Sequence, residues 1–175
     1  RTAWTKILKD VIGNDPVQAI LGTHFHPDHV GLAGWLQEQT GAPLWMSRTE
    51  WLSARSFYLD TSEDFLDQMV SFYGRLGLGE DIKGEMRKIG NEYRKQVSPI
   101  PSAFNRIGPD TGFKIGGRTW CPYFGAGHSP DHVCLFSGAD NLMLGGDLLL
   151  PRITPIIAVW WTEPDGNPLR DFLTF

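Results

Sequence analysis

The sequence predicts a mixed α/β domain, and three observations carry that prediction. The first part reads strand, loop, helix, strand, the pattern of strands covered by helices. A middle block carries aromatic residues at helical spacing. The last part breaks into short apolar runs separated by Gly-rich turns. A length of 175 residues fits one domain with a real core, taken here as 1–175, and 41% hydrophobic with 21% charged residues is ordinary for a globular chain.

In chain order, Trp4, Ile7, Leu8 and Val11 follow helical spacing and Gly13 closes that segment. Val17 to Leu21 is a short apolar run that predicts a strand buried inside a sheet. Val30, Ala33 and Leu36 recur at a three-residue step and predict a helix ending at Gly41. Pro43 to Met46 predicts another buried strand. Within an insert over about 48–98, Phe57, Phe65, Met69, Phe72, Tyr73 and Leu76 predict two or three helices. This insert is expected either as core and interface or as a cover over the site. Strands are then predicted at Phe113 to Ile115, Arg118 to Tyr123, Val133 to Phe136 and Leu142 to Leu144. Gly116-Gly117 and the turn at Gly138 to Asn141 connect them.

Charge and cysteine usage narrow the function classes. Sixteen basic against twenty acidic residues give a net charge of −4, which argues against a nucleic-acid partner. No apolar run approaches the ~20 residues that cross a bilayer. Cys121 and Cys134 are too few for a disulfide framework and lie in strand-like stretches, so both are expected as buried free thiols in a cytoplasmic setting.

The residues that carry chemistry are the histidines. Of five, three fall in Thr23-His24-Phe25-His26-Pro27-Asp28-His29, and the others are His128 and His132. On extended backbone, side chains two apart project the same way, so His24 and His26 share a direction. Pro27 fixes its own φ and biases His26 toward extended geometry. Asp28 and His29 then turn the chain into the next helix, so four candidate ligands leave one loop. Neutral imidazole suits borderline metals such as zinc, and a carboxylate adds a harder ligand.

This motif after an apolar strand, with Gly127-His128-Ser129-Pro130 and Gly145-Gly146-Asp147 later, resembles the metallo-β-lactamase superfamily. That family includes glyoxalase II thioesterases, lactonases, β-lactamases and some nucleases. The resemblance covers about 17–150 and implies an αββα sandwich. It implies that His24, His26 and His128 hold one metal, that Asp28 and His29 hold a second, and that Asp147 bridges them. The metal would be Zn2+, one ion or two, with iron or manganese as alternatives. The implied activity is hydrolysis of an ester, thioester or lactone-like bond in a small-molecule substrate by metal-bound hydroxide, with Asp28 as the catalytic residue that orients it. The insert resembles the helical additions of the glyoxalase II-like branch.

The family supplies a further downstream histidine and strands ahead of the motif strand. Here no histidine follows His132, and the chain opens at Arg1 and closes at Leu173-Thr174-Phe175 in mid-pattern. The chain is therefore expected to be a fragment, incomplete at both ends. Such a fragment would pair with a second copy across a bare sheet edge or need further segments. Other readings of the same residues are a nuclease, an iron oxygenase and a truncated non-catalytic remnant. His132 is expected as a structural histidine or one supporting a ligand, and Asp131 as a cap or loop residue. Trp160-Trp161 reads equally as pocket wall or ordinary packing, and Arg152 as a solvated arginine.

Overall fold

A computed structural model describes residues 1–175. Helix α1 (Thr2–Ile7) runs into a π-helical turn at Leu8–Ile12, all of it at the surface. Strand β1 (Ile20–Leu21), helices α2 (Pro27–Val30) and α3 (Ala33–Thr40), and strand β2 (Leu44–Met46) follow. Four helices form the insert: α4 (Arg48–Leu59), α5 (Glu63–Gly74), α6 (Glu80–Ile89) and α7 (Glu92–Gln96). Then come β3 (Asn105–Arg106), β4 (Phe113–Ile115), β5 (Arg118–Gly125), β6 (His132–Ser137), β7 (Leu142–Leu144) and α8 (Pro168–Thr174).

The strands form two sheets. One is parallel, in the order β1-β2-β3, and the other antiparallel, in the order β4-β5-β6-β7. Ile107, Trp120, Val133 and Leu135 are buried together, with Leu21, Trp45, Phe113 and Phe124 packed on them, so this core lies between the sheets. The opposite face of the parallel sheet presents Leu44 and Met46 to Val30, Ala33, Ala54, Phe57 and Phe65 of the helices. The layers are therefore helices, parallel sheet and antiparallel sheet, a partial version of the expected sandwich.

Local chemistry explains most boundaries. His26 has φ −59° and ψ 145°, the extended geometry favoured before proline, and Pro27 opens α2 where its missing N–H costs nothing. Gly41 caps α3 at φ 72°. Ser47 caps α4 by accepting from the Glu50 amide.

Several expectations are corrected. The strand predicted over Val17 to Leu21 narrows to Ile20–Leu21, and in this chain it lies at the edge of its sheet, the bare edge anticipated above. Its ladder runs to one side only, from the Ile20 amide to the Pro43 carbonyl and from the Gly22 amide to the Trp45 carbonyl. The helix expected from Val30 is two, because the chain breaks at Gly31-Leu32. There the Gly31 carbonyl accepts from the Ser98 amide and hydroxyl. The insert holds four helices rather than two or three. Cys121 is exposed, while Cys134 is buried. Trp120 takes the inward face of β5, so the period of two sends Cys121 outward. Strand β3 and helix α8 had no counterpart in the sequence pattern.

Candidate metal centre

The site gathers residues from three loops. The first lies between β1 and α2, where Thr23 to His26 leave the parallel sheet. The second precedes β6, where Gly127 at φ +110° turns the chain so that His128 faces the first loop. The third follows β7, where Gly146 at φ +52° lies so close to His132 that a Cβ would meet its ring at 2.5 Å.

Two groups of potential ligands result, His24 with His26 and His128, and His24 with His29 and Asp147. Within each, the ligating atoms lie within 4.8 Å of one another. His24 Nε2 stands 2.9 Å from His26 Nδ1 and 3.3 Å from His128 Nε2. His128 Nδ1 lies 2.9 Å from the Ile156 carbonyl, and a carbonyl can only accept. The proton of neutral His128 is thus on Nδ1, and Nε2 turns a lone pair into the cluster. At most one proton can lie between any two of these nitrogens, so lone pairs converge on a shared point. A cation satisfies that arrangement, and the residues present fit a divalent metal.

The protonation states agree. Burial, followed by the neighbouring imidazoles with His29 foremost, holds the His24 pKa far below its ordinary value. Burial and then His128 bring His26 down to about 4. Both rings are neutral at physiological pH, the form that binds metal. Asp147 Oδ2 lies 3.2 Å from His29 Nε2 and 3.8 Å from His128 Nε2, so one carboxylate oxygen faces both groups. Asp28 is not drawn into either group. Its Oδ2 is 3.6 Å from His29 Nε2, and its side chain is 76% exposed.

His132 supports this arrangement from below. Its ring is buried, lies against His24 at 4.7 Å between centroids, and accepts the Asp147 amide at 3.2 Å through Nε2. That bond leaves the Nδ1 side toward Cys134 Sγ, and the Cys134 thiol donates to the Gly145 carbonyl. Burial brings His132 down to about 4, keeping it an acceptor. Arg152 is exposed. Trp160 packs 5.4 Å from Phe25 and 5.8 Å from His26, while Trp161 packs on Phe57 and Phe65. The tryptophan pair is thus both packing and wall.

Glu50 is the residue the sequence reading missed. It is fully buried, and its two oxygens tie the two histidine loops together. Oε2 accepts the Phe25 amide at 2.8 Å, and Oε1 accepts the Ser129 hydroxyl and the Asp131 amide, both at 2.7 Å. Phe25 lies between His24 and His26, and Ser129 follows His128, so the carboxylate fixes the spacing of all three rings. Burial pushes its pKa up to about 7 against the pull of those three donors. Ser47-x-x-Glu50 has capping-box spacing, the one available signal. That signal would assign the carboxylate to its own helix end, whereas here it crosses to two other loops.

The family model described as the metallo-beta-lactamase superfamily matches residues 2–174. The chain belongs to this superfamily. Among solved structures, it is similar to a beta-lactamase domain protein from Burkholderia ambifaria, with 33% identity and a TM-score of 0.77 over 99% of this chain and 49% of that one. It is also similar to a metallo-beta-lactamase family protein from Thermus thermophilus, with 25% identity and a TM-score of 0.72 over 90% of this chain and 49% of that one. The chain thus spans about half the length of these superfamily members. A search of curated proteins finds no match. None of the helices is long and apolar enough to cross a membrane.

Proposed function

We propose that this chain carries the metal centre of a zinc-dependent hydrolase that cleaves an ester, thioester or lactone-like bond. The observation that supports this most is the convergence of His24, His26 and His128 nitrogens beside a carboxylate oxygen of Asp147 that faces both groups. In this reading His24, His26 and His128 hold one ion, and a borderline nitrogen set of this kind suits zinc. His29 holds a second with Asp147 shared, and Asp28 stands outside that set, 3.6 Å from His29. When bound, the metal supplies a Lewis acid that polarises the carbonyl and acidifies a water, lowering its pKa toward ~7.

The residues of the chain do the rest. His132, with Gly146 close against its ring, accepts the Asp147 amide and so keeps that carboxylate aimed between the groups. Asp28, beside His29 and open to solvent, orients the attacking water, takes its proton and passes it outward. Glu50 keeps the two histidine loops at fixed separation.

The test is metal analysis of the full-length protein purified without added metal, followed by turnover of a panel of esters, thioesters and lactones. Zinc at one or two equivalents with turnover lost on chelation is expected. A stoichiometric metal without hydrolysis of any panel member, or hydrolysis insensitive to chelation, refutes the assignment.

A further inference from the structure

A cavity of about 390 Å3 opens beside His26 and Pro27, between the insert helices and the Trp160-Trp161 segment. Its wall is built from Phe57, Phe65, Met69, Met86, Ile89 and Trp161. Most polar side chains along it are engaged, the exception being the Trp161 indole N–H, which is buried without a partner. Asn91 donates to the Phe57 and Asp60 carbonyls, the Tyr93 hydroxyl donates to the Phe25 carbonyl, and Gln96 donates to Glu92. Such a surface is mostly apolar, with the Trp161 indole N–H as one unpaired donor, so it favours hydrocarbon over sugar, phosphate or peptide backbone, which would each bring several polar groups.

His26 belongs both to this wall and to the nitrogen cluster. A substrate whose reacting carbonyl sits at the cluster can therefore extend a substituent into the cavity. We propose that this cavity is the substrate subsite for an alkyl or aryl group attached to the scissile bond, making the substrate a medium-chain or aryl ester or thioester. The proposal rests on the hydrolase reading above for the reacting bond, but the cavity's preference for hydrocarbon does not. With ~30 Å3 for a group the size of water, the space takes on the order of ten carbons. The insert from Arg48 to Gln96 then acts as the specificity element, since α4, α5, α6 and α7 supply most of the wall.

The experiment uses the full-length, zinc-loaded protein and two probe sets. One is a series of thioesters and esters whose acyl chain grows from acetyl to dodecanoyl, with a parallel series in which the alcohol grows instead. The other is unbranched methyl ketones of rising length, which cannot be hydrolysed, with binding measured by calorimetry. Each methylene that enters the cavity is expected to raise kcat/KM and ketone affinity by about two- to fourfold, with a plateau once the cavity is full. Ile89→Trp, at a half-exposed position on the wall, should flatten both dependences, and Met69→Trp repeats the test if the first variant is unstable.

The arm that shows the dependence, acyl or alcohol, identifies which side of the bond enters the cavity, and either supports the proposal. Length-independent turnover and ketone binding overturn it and leave the hydrolase reading intact. Length-dependent ketone binding without turnover of any ester, thioester or lactone leaves the subsite standing and overturns the hydrolase reading.

Discussion

Replacing Glu50 by Ala tests whether a buried carboxylate holds the metal centre together. The change leaves the amides of Phe25 and Asp131 and the hydroxyl of Ser129 without their acceptor. The hydroxyl can rotate, but the two backbone amides cannot. At ~1–3 kcal/mol for each orphaned buried donor, the loss is ~2–6 kcal/mol. An opposing gain comes from no longer burying an ionisable group. Its pKa rises from 4.5 to about 7, which at ~1.4 kcal/mol per unit is roughly 3 kcal/mol above neutral pH. The two effects offset each other in global stability, so metal affinity is the discriminating quantity. Removing a partner that orients metal ligands costs ~10–100-fold in affinity. Glu50→Gln should lie between Ala and the parent, because its carbonyl satisfies one loop while its amide meets a donor of the other. The assay is cobalt titration of the metal-free, full-length protein, followed by d–d absorption, with urea unfolding as the fold control. A folded Glu50→Ala protein with unchanged cobalt affinity and spectrum would refute the positioning role.

Three further outcomes follow from the same geometry. Asp28→Asn should abolish hydrolysis while metal at the His24-His26-His128 set is retained, read by turnover and metal stoichiometry together; near-normal turnover removes Asp28 from the mechanism. Gly146→Ala places a Cβ 2.5 Å from the His132 ring at φ +52°. It should destabilise by ~1–3 kcal/mol and weaken metal binding at the Asp147 side, and a urea midpoint matching the parent would contradict this. The metal-free protein should lose stability in acid. His26 and His132 bind a proton near 6.5 when unfolded but only near 4 when folded, so their contribution is complete above 6.5 and is lost as pH falls toward 4. Glu50 works the other way, its raised pKa favouring the folded state as pH falls from 7 to 4.5. His24 shifts in the same direction as the other two imidazoles, so three groups oppose one. A urea midpoint that stays level or rises between neutral pH and pH ~5 would show that this balance is misjudged.

What the sequence determined by itself is what is local. Three histidines and an aspartate within residues 24–29 follow from adjacency alone, and the conformation of His26 follows from Pro27. The alternation of β5, the stop of α3 at Gly41 and the helical character of the insert are likewise set by neighbouring residues. Motif order was enough to pick out His128 and Asp147. Tertiary structure decided what depends on residues far apart in the chain meeting in space. It placed His128 Nε2 at 3.3 Å from His24, left Asp28 outside both ligand groups, and set His132 beneath Asp147. It put β1 at a sheet edge and turned Cys121 outward, because pairing and register, not composition, assign a strand its neighbours and faces. Glu50 shows the division most clearly. Its spacing from Ser47 marks a helix start. Only the packing of α4 beneath two distant loops gives its carboxylate three donors, and a charge buried there is tolerable only because those donors are present.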